Sequence, residues 1–101
     1  MNDELRKSTD MSDVVTVRPE CLRRAEDGWE RPTGAEIREM MRRADLTDSK
    51  VAKLVGVSVQ SAGGSRRVRK WTSEESEIPY AAWALLCHAA GLGMIWIHET
   101  E

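Results

Sequence analysis

The chain has 101 residues, which suffices for one domain with a small core and excludes an assembly of several domains. Its 15 basic and 17 acidic residues give a net charge of -2 at pH 7, so the overall charge does not indicate a polyanion-binding protein. Hydrophobic residues make up 41% of the chain, and because so short a chain buries a modest share of its surface, we expect it to dimerise.

The cysteines and the longest uncharged stretch bear on the location of the protein. Cys21 and Cys87 lie far apart and belong to no CxxC pair, which favours a reduced, cytoplasmic protein over a disulfide scaffold. The first ten residues contain no apolar run typical of a signal peptide. Residues 78–97 lack Asp, Glu, Lys and Arg and are numerous enough to cross a bilayer, but Gly91 and Gly93 interrupt them. We therefore expect a helix followed by a short apolar tail, and no membrane.

Residues 1–30 are predicted to form an N-terminal segment, partly disordered, ahead of a domain at residues 31–101. Residues 1–17 are polar and mixed in charge, so they should remain flexible because they cannot bury enough surface to offset the entropy of ordering. Pro19 suits a first helical turn, and the apolar residues of 19–27 predict a short helix ending near Gly28. The pattern leaves open whether this helix docks on the domain or forms an arm, although its acids favour a solvated face.

The first clear helix start lies at Thr33. Thr33 and Glu36 have the spacing of a capping box, in which each side chain bonds the other residue's backbone amide. The residues that follow form one apolar stripe: Ile37, Met40, Met41 and Ala44. This pattern predicts a helix that ends near residues 44–45.

A second helix start follows after a short connection. Thr47 is its predicted N-cap, and Gly56 should end the helix with a positive φ. Its buried face is expected to consist of Val51, Ala52 and Val55, with Lys50 and Lys53 outside. Ala52 is small, which would allow a crossing helix to approach closely.

The sequence SRRVRKW at residues 65–71 carries four cations among seven residues. The preceding VQSAGG, residues 59–64, has poor helix propensity and should form a loop. A helix should then begin at residue 64 or 65 and end near residue 71 or 72. Val68 and Trp71, three positions apart, would insert into the core and leave the other residues for the outer faces: Ser65, Arg66, Arg67, Arg69 and Lys70.

The charge distribution and the arginines together predict DNA binding. Between residues 49 and 73 the chain has basic residues and no acid, a polarity typical of a phosphate-facing surface. The planar fork of an arginine can pair with O6 and N7 of guanine in the major groove. Lysines can hold phosphates and fix the register, and the candidates are Lys50, Lys53 and Lys70. A merely solvated basic face would not account for the turn or for Val68 and Trp71.

An acidic linker and a strongly apolar end complete the chain. Pro79 should open a last helix that ends at Gly91 and has a broad apolar face: Ala82, Trp83, Leu85, Leu86 and Ala89. The tail after it is too apolar to remain uncovered. It would either pack over the domain's own base or, as we favour, form a dimer contact by strand pairing or apolar docking: Leu92, Met94, Ile95, Trp96 and Ile97. Such a contact would set two recognition helices one DNA turn apart, roughly 34 Å.

These motifs together resemble the Cro/CI-type helix-turn-helix family, also called lambda-repressor-like or Xre-like. LTDSKVAKLVGVS is similar to the family's first helix and turn, and VRKW, IPYAAWALL and AGL are similar to the rest, so the match covers about residues 33–92. GAEIR, VRKWT and IPYAAWALL resemble in particular small plasmid-borne repressors of the KorC kind. The resemblance implies an all-α, compact domain of four to five helices. It also implies a bacterial homodimer that binds a palindromic operator and represses transcription.

The same resemblance implies roles for individual residues. The family's turn glycine corresponds to Gly56 and its close-packed alanine to Ala52. Its recognition-helix contacts to bases fall on Ser65, Arg66, Arg67 and Arg69. The chain departs from the family in two places. The linker after Ser58 is longer than usual, and Asp48 stands where many members have a glutamine that contacts a phosphate, which an aspartate would repel.

Other classes of function are less well supported by the sequence. Cys87 and His88 are adjacent, hence on different faces of a helix, and no spacing matches a zinc site, so we expect no metal and no cofactor. The two histidines and scattered carboxylates form no evident pair of nucleophile and base, so we expect no enzyme. The main alternative is a protein-interaction module, an antitoxin or adaptor, that uses the apolar tail and the acidic linker and reads no operator. RNA binding is weaker because no aromatic-rich stacking surface is apparent.

Overall fold

The computed structural model describes residues 16–59 and 64–97. It contains four α-helices, which we number α1 to α4: Gly34–Ala44, Asp48–Val55, Arg66–Thr72 and Tyr80–Cys87. Two 3-10 turns, Pro19–Leu22 and Ala25–Asp27, precede α1, and a π-helical turn, His88–Leu92, continues α4. These two ranges contain no strand, which confirms the predicted all-α class. The lambda-repressor-like arrangement stays a prediction.

The starts and ends of α1 and α2 follow the predicted caps. Thr33 Oγ1 accepts from the Glu36 amide at 3.1 Å, and Glu36 Oε1 accepts from the Thr33 amide at 2.7 Å, which completes the capping box. Thr47 Oγ1 accepts from the Lys50 amide at 3.3 Å. Gly56 ends α2 with a φ of 84°. The local sequence thus determines both helices, because each cap satisfies backbone groups that a helix end leaves without partners.

One core is shared by all four helices. Helices α1 and α2 each pack against both α3 and α4, and α1 also packs against the π-helical turn. None of the helices in the described ranges has the length and hydropathy needed to cross a membrane. The buried residues that form this core are Cys21, Ile37, Met40, Val51, Ala52, Val68, Trp71, Ile78, Ala82, Trp83, Leu86 and Cys87.

The segment before α1 docks on this core. The carbonyl of the fully buried Cys21 accepts two indole hydrogen bonds, from Trp83 Nε1 at 2.7 Å and from Trp29 Nε1 at 3.0 Å. The Tyr80 hydroxyl donates to the Arg23 carbonyl at 3.0 Å. The short helix expected over 19–27 is therefore a pair of 3-10 turns held on α4. Cys21 is buried, while Arg23, Glu26 and Asp27 are exposed, as expected for a solvated charged face.

The structure describes only the last part of the predicted N-terminal segment. Residues 1–15, most of the stretch expected to be flexible, lie outside the described residues. Val17, at the end of that stretch, packs against the core, so flexibility does not extend to it. The division into residues 1–30 and 31–101 stays a prediction, although Cys21 belongs to the same core as the helices.

An ion pair between the partly exposed Arg18 and the buried Glu36 ties this segment to the start of α1. Arg18 donates from Nε to Glu36 Oε2 at 2.9 Å and from Nη2 to Glu36 Oε1 at 3.0 Å, while the Glu36 side chain is only 4% exposed. Burial alone would raise the pKa of Glu36, but hydrogen bonds from the side chain and backbone of Arg18 and from the Thr33 amide hold that pKa at about 2.

This pair should make the fold sensitive to acid. Because the folded pKa of Glu36 lies below its ordinary value of 4.5, its contribution to stability is present above that value and is lost as the pH falls toward 2. Glu36→Gln should lower the free energy of unfolding at pH 7 by on the order of 1–3 kcal/mol. Urea unfolding from pH 7 to pH 2 should show the difference from the unsubstituted protein shrinking below pH 4.5. Glu26→Gln, at an exposed glutamate, is the control, and a constant difference at every pH would contradict the assignment.

Candidate nucleic-acid interface

Helix α3 is fixed to the core along one side. Val68 is fully buried and Trp71 is 3% exposed, as predicted from their spacing. The helix has only seven residues, too few to be stable in isolation, so these two side chains and the caps must hold it. The observed helix, Arg66–Thr72, ends where predicted and begins one residue after the predicted start, because Ser65 is its N-cap.

The expectation that Ser65 lies on the outer face is wrong. Ser65 is fully buried, and its hydroxyl accepts from the Val68 amide at 3.3 Å as the N-cap of α3. The same hydroxyl donates to the Ser58 carbonyl at 3.0 Å, which joins the two ends of the connection between α2 and α3. Ser65 is therefore removed from the candidate base contacts. Residues 60–63 of the expected loop lie outside the described residues.

The C-terminal end of α3 is held by a contact that the sequence did not reveal. A Cβ added to Gly34 would overlap the carbonyl of Thr72, the last residue of α3, so a glycine is needed for this approach to the start of α1. The Gly34 amide donates to Glu74 Oε2 at 2.7 Å, and Arg38 Nη1 donates to the Thr72 carbonyl at 2.8 Å. Both ends of α3 are thus anchored, and its direction is fixed relative to α1.

Four cations remain on the exposed sides of α3: Arg66, Arg67, Arg69 and Lys70. At about 100° of rotation per residue, Arg66, Arg69 and Lys70 fall within an arc of roughly 100° opposite the buried side, and Arg67 falls on a flank. The first three line one open depression together with Thr72, Ser73 and Glu75. The structure therefore divides the predicted arginines into a central pair and a flanking one.

Helix α2 adds two further cations beside α3. Lys50 and Lys53 are exposed and lie three positions apart, hence on one face, while Val51 and Ala52 are buried on the other. Asp48 stands at the first position of α2, and its Oδ2 lies 3.7 Å from Arg69 Nη1. A carboxylate at the start of α2 thus lies next to a cation of α3.

Glu39, the second buried acid of α1, is engaged within α1 itself. Hydrogen bonds from Arg42 and Arg43 hold the pKa of Glu39 at about 2. Glu39 Oε2 lies 2.7 Å from Arg42 Nη2 and 2.7 Å from Arg43 Nε. These arginines balance a buried acid, so we do not count them among the candidate DNA contacts.

The apolar tail is partly uncovered. Leu92, Met94, Trp96 and Ile97 are 37 to 48% exposed, whereas Ile95 packs against the protein's own core. The Ile97 amide donates to the Met94 carbonyl at 3.0 Å, so these residues form a turn. A turn does not offer an extended edge, so strand pairing by residues 94–97 is not supported and apolar docking remains. Residues 98–101 lie outside the described residues.

Metal-binding side chains are not clustered in the part of the chain that the structure describes. In residues 16–59 and 64–97, no group of three or more His, Cys, Asp or Glu side chains is arranged to hold a metal ion. Burial raises the pKa of Cys21 to about 11 and that of Cys87 to about 12, so both thiols stay protonated at neutral pH. These cysteines serve the core.

The two hydrogen bonds of the Ser65 hydroxyl should contribute measurably to the free energy of unfolding. Ser65→Ala removes the α3 cap and leaves the Ser58 carbonyl without its hydroxyl partner, which should lower the free energy of unfolding by about 1–2 kcal/mol in urea titrations. Thr47→Ala is the matched control, because Thr47 caps α2 from an exposed position. Its cost should be smaller, and equal costs for the two variants would show that the contact with Ser58 contributes nothing.

Comparison with known proteins gives two closely similar sequences. Both are described as transcriptional repressor protein KorC from Escherichia coli. One is 55% identical over 86 residues, covering 85% of this chain and 95% of the relative, and the other is 49% identical over 86 residues, covering 85% and 96%. No protein-family model and no solved structure matches the chain.

These relatives decide the family. Their described role, transcriptional repression, is not enzymatic, which agrees with the expectation that the chain is no enzyme. The similarity spans nearly the full length of each relative, so it is not confined to one shared motif. With its capped α1 and α2 and its anchored basic α3, the chain belongs to the KorC family of transcriptional repressor proteins.

Proposed function

We propose that the chain is a sequence-specific transcriptional repressor that binds double-stranded DNA with α3 in the major groove. The observation that carries the proposal is the two-sided character of α3, which buries Val68 and Trp71 and exposes four cations. An α-helix fits the major groove, and a helix fixed by its own core presents its side chains in a constant register. The described role of the two relatives supports the same function.

The position of each cation suggests its role. Arg66 and Arg69 lie on the central outer arc of α3, where a guanidinium can reach O6 and N7 of guanine. Arg67, on the flank, is the third candidate for a base contact. Lys50, Lys53 and Lys70 are the candidates for phosphates, since a lysine ammonium binds phosphate without reading the base.

The protein is proposed to act as a homodimer on a palindromic operator. A helix of seven residues can contact only a few base pairs, and a two-fold symmetric dimer doubles the number of base pairs that are contacted. The exposed residues of the tail offer the apolar surface for this contact: Leu92, Met94, Trp96 and Ile97, with Ile95 beneath them. We propose bacterial cytoplasm as the location, where the DNA lies, and a plasmid as the genetic context.

The arginines and lysines should differ in how their loss affects binding. Arg66→Ala, Arg67→Ala or Arg69→Ala should each weaken operator binding by about 1–3 kcal/mol and relax the preference at one base pair. Lys50→Ala or Lys53→Ala should weaken binding to all sequences and reduce the slope of log K against log salt concentration by about 0.9. Gel shifts with the protein's own upstream DNA at several salt concentrations measure both effects.

An arginine outside α3 provides the control for these variants. Arg42→Ala is the control among arginines, because Arg42 pairs with Glu39 and lies outside the proposed interface. It should leave the base preference unchanged. If the three α3 variants bind the operator like the unsubstituted protein, α3 is not the reading helix, and a protein-interaction module becomes the better interpretation.

The tail can be tested without truncation. Met94→Asp and Ile97→Asp place charges on the two most exposed apolar residues of the tail, and both should yield monomers in sedimentation. The monomers should bind the operator more weakly but keep the far-ultraviolet circular dichroism of the folded chain. Leu54→Asp, at an exposed apolar residue of α2, is the control for adding a charge. A dimer that persists in both tail variants contradicts this interface.

A further inference from the structure

Asp48 occupies an unusual position for an acid in a basic surface. It begins α2 next to the cations of α3, and its Oδ2 lies 3.7 Å from Arg69 Nη1. The Asp48 side chain is 32% exposed and the Arg69 side chain 46% exposed, so the pair lies at the surface. The distance is longer than a hydrogen bond, so the attraction biases the direction of the guanidinium without fixing it.

The start of α2 is a favourable place for this carboxylate. A helix N-terminus carries partial positive charge, which stabilises an anion at the first position. Such an anion at a DNA-facing edge also repels phosphates, and this repulsion lowers affinity for every sequence alike. Asp48 would therefore weaken DNA binding unless its effect on Arg69 compensates.

Gly64 provides the space in which the pair forms. A Cβ at Gly64 would lie 3.3 Å from Arg69 Nη1 and 3.5 Å from Asp48 Cβ, and Gly64 has a φ of 79°, which favours glycine. The residue just before the Ser65 cap is thus packed against both members of the pair. This packing restricts the directions that the Arg69 side chain can take.

We propose that Asp48 is a positioning residue that makes Arg69 selective for a base and less attracted to phosphate. The proposal rests on the function proposed above. A nearby carboxylate lowers the net positive charge that a phosphate anion meets, whereas pairing of a guanidinium with O6 and N7 of guanine depends mainly on the direction of its donors. A side chain already restricted in direction also loses less conformational freedom on binding. Asp48 thus lowers non-specific affinity and raises the ratio of specific to non-specific binding.

The experiment selects binding sites from a randomised double-stranded DNA library with the full-length chain. Arg69→Ala should flatten the preference at one base pair in each half-site. Asp48→Asn, which keeps the shape and removes the charge, should reduce the preference at that same base pair by about two- to fivefold, the range expected of an exposed ion pair. Its affinity for an unrelated duplex should rise. Asp48→Glu, which restores the charge, should recover part of the preference.

A matched control separates positioning from charge alone. Glu75→Gln removes a carboxylate that lines the same depression as Arg66 and Arg69. It should raise non-specific affinity and leave the preference at every base pair unchanged. The double variant Asp48→Asn with Arg69→Ala should give the same base preferences as Arg69→Ala alone, because Asp48 acts through Arg69.

The outcomes distinguish this inference from the proposed function. If the unsubstituted protein selects a motif and Asp48→Asn behaves like Glu75→Gln, Asp48 acts by charge alone and the inference is overturned. Equal loss of preference at all positions would indicate a structural role and would also overturn it, as would an Arg69→Ala variant with unchanged preferences. If the unsubstituted protein selects no motif, the proposed function fails and the inference fails with it.

Discussion

The shortness of α3 is the constraint on which the rest of the structure depends. Seven residues do not form a stable helix in water, so every part of α3 has to be held by something else. Ser65 caps its start and binds it to Ser58, Val68 and Trp71 fill the core beneath it, and Gly34 admits its last carbonyl against α1. The cations gain a fixed direction because the remainder of the domain supplies the rigidity that the helix lacks.

The placement of charge follows from the same architecture. The chain has more acids than bases, yet buried Glu36 and Glu39 are balanced by arginines within or next to α1. The cations on the exposed sides of α2 and α3 stand apart from these pairs. A net charge of -2 is therefore compatible with a basic surface, because the charges are sorted by position. Asp48, at the start of α2, is an acid next to these cations.

Local signals in the sequence predicted much of this fold, and long-range contacts explain what they missed. The caps at Thr33 and Thr47, the end of α2 at Gly56 and the burial of Val68 and Trp71 all depend on residues within four positions. The burial of Ser65 depends on Ser58, seven positions away, and the docking of Cys21 depends on Trp83, which is 62 positions away. No periodicity encodes such pairings. The local sequence therefore predicts an exposed serine before a basic helix, and only the long-range contact reveals that Ser65 is buried.

The double acceptance at the Cys21 carbonyl has a consequence for the smallest unit that can fold. Two indole rings, from Trp29 before α1 and Trp83 in α4, share one oxygen atom that precedes the first α-helix by thirteen residues. A fragment starting at α1 would retain every helix and still expose the Trp83 N–H and the apolar wall that Cys21 covers. The four helices alone are therefore an incomplete folding unit, and the segment that precedes α1 is needed to cover one side of their core.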